Sequence, residues 1–484
     1  MERIAIRYDR GSLVVEGVPE GWRPPSYLVW DDRIGAYRSL AIHHRALVRH
    51  LTHAGSSFRD EARAYPELRL DPSGLPEPFP HQRAALEAWS RGKWGIVEMP
   101  TGSGKTLLAL RAICTVQRGT LILVPTLELL AQWCGVLETH LGLHPGVIGG
   151  GSHQLEPVTV CTYASAYRKG EHFGNRFCLV VFDECHHLAG AGYARIADGL
   201  IAPYRLGLSA TIETAPLDGV SMKIPARRTP AGAGSGPIDR PGDGTFSIGE
   251  ALKPLTGPVV YRASIAEMRG GVLAPYRVET LEADLSPRER ADYEEARGRY
   301  RNFAKGAGIV VDSAAGWKRF VFAASRTPEG RQALEAFYRQ RRIAFAPEAK
   351  FEALADILSR HRDSRVLIFT NDNTTAYEVS RRFLLPIITH QTKVSERRVI
   401  MERFRGNRWP FLVTSRVLNE GVDVPEVNVA VVLSGTASVR EHVQRLGRIL
   451  RKAPGKEAVL YEVLSRTPVE QHVSRRRRMH EAYR

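Results

Sequence analysis

Short apolar runs bounded by turn residues recur through the first half of the chain: Thr120-Leu-Ile-Leu-Val124, Val158-Thr-Val-Cys161, Leu179-Val-Val-Phe182 and Arg205-Leu-Gly-Leu208. All are short and largely apolar, so each predicts a buried strand of a parallel sheet. Helical stretches lie between them, and the alternation predicts a doubly wound α/β domain to about residue 260. The pattern returns at Val366-Leu-Ile-Phe369, Phe411-Leu-Val-Thr414 and Val429-Ala-Val-Val-Leu433, predicting a second α/β unit. From about 285 to 345, Arg and Glu recur at helical spacing among Tyr293, Tyr300, Phe303, Trp317, Phe320 and Phe337, which predicts a small helical module with an aromatic core. Near the start, Ser12–Glu16, Tyr27–Trp30 and the segment around Tyr37 read as strands, and Ala46–Leu51 as a short helix. The Pro-rich stretch Asp71–Pro80 reads as a linker, and a Gly/Pro-rich, basic stretch near 222–247 as a surface insertion.

Charge narrows the partners. Sixty-eight Lys and Arg against 52 Asp and Glu leave a formal charge of +16, which favours a polyanion, nucleic acid first. The run Arg475–Arg478 adds to this footprint. No apolar run approaches the roughly 20 residues of a membrane span, and no secretory signal is visible at the start. Five dispersed cysteines favour a reducing compartment without disulfides. Cys178 with Cys185-His186-His187 fits no common zinc spacing.

The candidate chemistry begins at Met99-Pro-Thr-Gly-Ser-Gly-Lys-Thr106, between the strand-like Ile96-Val97-Glu98 and an apolar helix. Such a turn aims several backbone N–H groups at one point on the positive end of a helix dipole, where a polyphosphate is held. Thr101, Gly102, Ser103 and Gly104 form the cradle. Lys105 supplies charge for the β/γ oxygens and Thr106 a hydroxyl for Mg²⁺. Met99 stands where the strict pattern has its first Gly. Asp183 and Glu184 directly follow an apolar strand. Asp183 suits Mg²⁺ held mostly through water, and Glu184 suits orienting or deprotonating an attacking water. Ser209-Ala-Thr211 follows the next strand and, with His186, is a candidate for coupling nucleotide state to movement. In Gln444-Arg-Leu-Gly-Arg-Ile-Leu-Arg451, Arg448 and Arg451 share one face of a helix. They suit a γ-phosphate in its transition state, or else the phosphates of DNA. ATP and Mg²⁺ are the expected cofactors.

The ordered set resembles a superfamily 2 DNA helicase of the DExH type, and within it the XPB family in its shorter archaeal and bacterial form. Pro80-His-Gln82 looks like the adenine-recognition segment, with Gln82 reading the base. Pro125-Thr126 resembles motif Ia, Thr162-Tyr163 motif Ib, and the stretch containing Thr370 and Asn371 motif IV. Ser415–Pro425 resembles motif V, with Gly421 and Asp423 placed as the family places them, and Gln444 belongs to motif VI. The resemblance implies an α/β fold of two RecA-like doubly wound parallel-sheet domains, with a small N-terminal α+β domain and a helical thumb insertion. It implies a DNA-engaging, damage-recognition-like domain over 1–72, helicase domain 1 over 77–265, the thumb over 285–345 and helicase domain 2 over 346–484. Motifs Ia, Ib and IV would contact nucleic acid, and Lys105 and the paired arginines would meet one ATP from opposite sides. One departure stands out: family members usually carry an Arg-Glu-Asp element soon after motif III, where this chain has Thr211-Ile-Glu-Thr-Ala-Pro-Leu-Asp218.

Three functions compete at this point. The first is an ATP-driven 3′-to-5′ DNA helicase acting in repair, resembling nucleotide excision repair. The second is a duplex translocase that separates no strands, which the departure favours. The third is a non-catalytic DNA scaffold, which intact Lys105, Asp183, Glu184, Arg448 and Arg451 argue against. RNA remains open as a substrate. A monomeric, cytoplasmic, nucleoid-associated protein without membrane association is expected, and the resemblance implies a structure-specific nuclease as partner.

Overall fold

The computed structural model describes residues 3–190, 192–212, 247–268, 276–311, 314–415, 427–434 and 458–467. A few loop residues aside, the chain divides into two compact units, one running to Ala263 and the other from Ser264.

The first unit opens with five strands: β1 (Ile4–Asp9), β2 (Ser12–Glu16), β3 (Val29–Asp31), β4 (Ala36–Leu40) and β5 (Phe58–Asp60). They form a sheet ordered β3-β4-β2-β1-β5, antiparallel except for the parallel pair β1/β5. Its inner face carries Ile4, Ile6, Leu13 and Val15, and the helix His44–His53 covers it with Leu47 and Leu51. Ile201, from the following domain, completes this core. Arg45 fastens the same seam by donating to Pro203 O and Gly92 O, both at 3.0 Å.

One buried polar pair holds the small domain's last strand to its helix. His44 lies 2.8 Å from Asp60, with both side chains almost wholly buried, and Arg63 reaches the same carboxylate at 2.8 Å. Burial opposes the Asp60 charge, but His44, Arg63 and the Ala62 N–H outweigh it and hold the carboxyl below its ordinary value. Replacing Asp60 with Asn should therefore cost about 3 kcal/mol, the scale for breaking a buried pair. The sign of the pH dependence follows from the depressed pKa. The unfolded chain takes up this proton first, near the ordinary value of 3.8. The contribution is thus complete above that pH and fades as pH falls through the lower folded value. Denaturant melts of wild type and Asp60→Asn should differ by a constant amount at neutral pH and converge in acid.

The first α/β domain is an eight-stranded sheet ordered β13-β6-β12-β11-β7-β10-β8-β9. Its strands are β6 (Trp94–Glu98), β7 (Thr120–Val124), β8 (Gly146–Gly149), β9 (Ser152–His153), β10 (Val158–Thr162), β11 (Leu179–Asp183), β12 (Tyr204–Ser209) and β13 (Val259–Arg262). All pairings are parallel except β8/β9. Every residue of β7, β10 and β11 is buried, because helices cover both faces and leave no side for polar alternation. In register, Ser209 of β12 lies opposite Glu98 of β6, and Leu208 opposite Asp183 of β11. The loops leaving three adjacent strands therefore emerge side by side at the carboxyl edge, where open α/β sheets place their ligands.

In the second unit the helices Pro287–Gly306, Ala314–Ser325 and Pro328–Phe345 pack together. Ser286 and Glu289 cap the first of these reciprocally. Phe320 is fully buried among Tyr300, Phe303, Trp317 and Phe337, so these aromatics serve as packing. Tyr293 is buried in a neighbouring cluster with Leu285 and Ala344. Among the described residues the unit also holds a six-stranded, all-parallel sheet with the helices Glu348–Arg360, Asn373–Phe383 and Val394–Arg405 against it: β14 (Tyr276–Glu282), β15 (Val366–Phe369), β16 (Ile387–Ile388), β17 (Phe411–Thr414), β18 (Val429–Val432) and β19 (Ala458–Leu464), ordered β14-β19-β18-β15-β17-β16. Among the described residues no helix is long and apolar enough to cross a membrane.

Candidate active site

The loop between β6 and the helix Lys105–Val116 is built around glycines that no other residue replaces without strain. Gly102 and Gly104 have φ of 86° and 80°, in the left-handed region. A Cβ on Gly104 would also sit 2.1 Å from the Gln82 side-chain nitrogen. The turn brings the backbone back on itself, with Ser103 N–H donating to Pro100 O at 3.3 Å, and delivers the chain to the positive end of a twelve-residue helix. Lys105 folds over the loop, its Nζ donating to Met99 O at 2.9 Å. Thr106 follows it in the helix's first turn and is partly exposed. The buried Thr101 hydroxyl has no hydrogen-bond partner among the described residues. The N–H groups of the helix's first turn, an ammonium and an unsatisfied hydroxyl form a donor set that suits a polyphosphate.

Gln82 lies beside this loop, nearly fully buried. Its Oε1 accepts from Phe79 N–H at 3.0 Å, and its Nε2 donates to Gly104 O at 3.4 Å. The side chain thus both closes the start of the helix Pro80–Ser90 and touches the phosphate loop.

Asp183 ends β11 and is 8% exposed. One carboxylate oxygen accepts from the Trp133 indole N–H at 2.8 Å, and the other accepts from Glu184 N–H at 3.1 Å. Burial pushes its carboxyl up from the ordinary value, against the pull of Trp133, Lys105 and His187. Glu184 takes a φ of 49°, a strained conformation for a residue with a side chain. Its carboxylate lies 3.4 Å from His186 Nδ1. His186 Nδ1 lies 3.4 Å from Ser209 Oγ, which donates to Thr211 O at 3.1 Å and accepts Thr211 N–H at 3.3 Å. The three coupling candidates therefore form one contiguous chain with Glu184, spanning the ends of β11 and β12.

The candidate nucleic-acid contacts divide in two. Pro125 and Thr126 are partly exposed, and Thr126 caps the helix Leu127–Leu141 through a bond from Leu129 N–H at 3.2 Å. Thr162, 7% exposed, caps the helix Tyr163–Lys169 and bonds Ser165. The Tyr163 side chain is out of reach of a surface strand: it is 1% exposed and donates its hydroxyl to Asp183 O at 2.9 Å. Thr370, also expected to touch nucleic acid, is fully buried and donates to Asp372 O at 3.0 Å. Asn371 is 8% exposed, and its N–H donates to Ser434 Oγ at 3.0 Å. A motif gives the position of a side chain but not its direction, and an aromatic ring gains most from burial. Gly421, Asp423, Gln444, Arg448 and Arg451 lie outside the described residues, as does the 222–247 insertion up to Ser247.

Two groups around the site escaped sequence reasoning. Glu98 accepts from Arg262 Nε at 2.8 Å and from Ile212 N–H at 3.1 Å, joining the ends of β6 and β13 to the segment after Ser209. Trp133 is the other, and no local pattern links it to a carboxylate fifty residues away.

Solved structures place this architecture in a class. The chain matches Saccharomyces cerevisiae Dbp5 bound to RNA and ADP BeF3 with a TM-score of 0.54 at 15% identity, over 83% of this chain and 88% of that one. It matches the Hef helicase domain of Pyrococcus furiosus with a TM-score of 0.50 at 18% identity, over 84% of this chain and 99% of that one. These likenesses show the fold: two RecA-like parallel-sheet domains.

Sequence comparison is more specific. Residues 6–62 match the Xeroderma pigmentosum group B helicase damage recognition domain. Residues 75–214 match the type III restriction enzyme res subunit model, and 349–453 the helicase conserved C-terminal domain. The "DNA 3'-5' translocase XPB2" of Sulfurisphaera tokodaii is 34% identical over 98% of this chain and 100% of its own length. The "DNA 3'-5' helicase XPB" of Mycobacterium tuberculosis is 30% identical over 81% of this chain and 61% of its own length. The chain belongs to the XPB family of helicases.

Proposed function

We infer that this protein is an ATP-driven DNA motor that moves 3′-to-5′ and opens strands, in a repair setting resembling nucleotide excision repair. One observation carries the reading: the phosphate loop after β6, the Asp183–Glu184 pair after β11 and the Ser209–Thr211 turn after β12 leave neighbouring strands at one edge of one sheet.

Thr101 to Thr106 cradle the triphosphate, with Lys105 directed at the β/γ oxygens, and Gln82 is assigned to the base. Mg²⁺, held by Thr106 and, largely through water, by Asp183, would neutralise charge between the β- and γ-phosphates. Glu184 is assigned to orient the attacking water and accept its proton. His186, Ser209 and Thr211 report loss of the γ-phosphate to the rest of the sheet. Arg448 and Arg451, with Gln444, are assigned to charge developing on the transferred phosphoryl group; Gly421 and Asp423 are assigned to nucleotide contact. Pro125, Thr126 and Thr162 lead the contacts to nucleic-acid phosphates, which makes binding sequence-tolerant and salt-sensitive. A structure-specific nuclease as partner, a monomeric state and a place with the nucleoid complete the proposal by family analogy.

A duplex translocase that separates no strands is the second reading. The missing Arg-Glu-Asp element favours it, and a relative matched over its whole length is named a translocase. ATP turnover measured with single-stranded, duplex, forked and bubble DNA and with RNA, at two salt concentrations, tests the shared core of both readings. DNA should raise turnover, and the DNA concentration needed should rise at least about tenfold between 50 and 200 mM salt. Equal turnover with and without every nucleic acid would reject a motor. Strand displacement beside triplex displacement separates helicase from translocase.

A further inference from the structure

Asp183 is held by donors from two other segments. The Trp133 indole N–H reaches its carboxylate at 2.8 Å, and the Tyr163 hydroxyl reaches its backbone carbonyl at 2.9 Å. Both rings are 1% exposed, so neither bond competes with water. Trp133 lies two turns into the helix that Thr126 caps, and Tyr163 is the first residue of the helix that Thr162 caps. The Tyr163 ring is stacked on Tyr193 at 5.8 Å and lies 5.9 Å from His187, which fixes its hydroxyl. A helix transmits a displacement of its end along its axis with little loss, since every residue is tied to the next turn.

We propose that Trp133 and Tyr163 are positioning residues that connect the nucleic-acid-facing starts of these two helices to Asp183. Through them, DNA binding sets the orientation of the metal-holding carboxylate and thereby raises ATP turnover. The proposal rests on the functional reading above, and its content is the route: two buried hydrogen bonds, neither of which touches nucleotide or DNA. With Trp133 on one carboxylate oxygen and Glu184 N–H on the other at 3.1 Å, the carboxylate plane is fixed and the remaining lone pairs face a metal's water shell, as supporting bonds orient ligands at other metal sites.

Trp133→Phe removes the N–H and keeps a buried aromatic ring; Tyr163→Phe removes a single oxygen. The readouts are ATP turnover with and without saturating duplex DNA, the Mg²⁺ concentration for half-maximal turnover, and binding of a fluorescent ADP analogue with and without Mg²⁺. Each variant should lose most of the DNA stimulation, about tenfold for Trp133→Phe. Each should need several-fold more Mg²⁺ and bind the Mg²⁺-free analogue as wild type does. Should Trp133→Phe fold poorly, Tyr163→Phe carries the test alone. Wild-type stimulation and Mg²⁺ requirement in a folded Tyr163→Phe and Trp133→Phe would overturn this route and leave the motor reading standing. Wild-type protein unstimulated by any DNA would overturn both.

Discussion

Lys105→Ala lowers DNA-stimulated ATP turnover by about 10²–10³-fold, the scale for losing one preorganised charge at a developing anion. The reason is local. The Lys105 ammonium already lies against the loop at Met99 O, 2.9 Å away, so it needs only a rotamer change to meet a triphosphate. Its charge also favours the ionised form of Asp183, which burial otherwise pushes toward the neutral acid. Alanine removes both effects without disturbing the turn, because the loop's shape comes from Gly102 and Gly104. Phosphate release at saturating DNA measures the loss. Turnover within threefold of wild type would place the nucleotide elsewhere.

Arg205→Met destabilises the first unit by about 3–5 kcal/mol, the second large effect. Arg205 is fully buried at the start of β12 and donates to four backbone carbonyls: Ala202 at 3.3 Å, Leu255 at 2.8 Å, Ala197 at 2.9 Å and Leu200 at 2.7 Å. Its guanidinium also lies 4.8 Å from the Trp94 ring centre. Burial pulls its pKa down to about 9, which leaves it protonated at neutral pH. Methionine matches the length of the stem but leaves four acceptors without their donor. A shift of the first unit's thermal midpoint by roughly 10 °C is the expected signature. A midpoint within 2–3 °C of wild type, on the order of 1 kcal/mol, would mean that water or a side chain replaces the guanidinium.

Arg205 also shows where sequence reading stops. It stands at the head of an apolar run and reads there as the polar edge of a strand, because its partners are backbone carbonyls that leave no trace in residue identity. By contrast, the runs at Thr120–Val124, Val366–Phe369 and Phe411–Thr414 coincide with strands end to end, since burial on both faces makes the whole strand apolar. Strands β1 and β5 were not legible: the first mixes exposed Arg7 into its pattern, and the second has only three residues. The phosphate loop and the acidic pair were plain because glycine and adjacent carboxylates carry their chemistry in their identity. The bonds from Trp133 and Tyr163 were not, because they join residues 50 and 20 positions apart through tertiary packing.

The central claim is that ATP hydrolysis at this site drives movement along DNA. Displacement of a third strand from a duplex track, followed in wild type and in Glu184→Gln with ATP at saturation, tests it most directly. Wild type should clear the third strand only when ATP is hydrolysed, and Glu184→Gln should still bind ATP yet clear it at least about 100-fold more slowly, the scale of a lost general base. Equal clearance by the two proteins, or none by a wild-type protein that hydrolyses ATP on the same DNA, would contradict the claim.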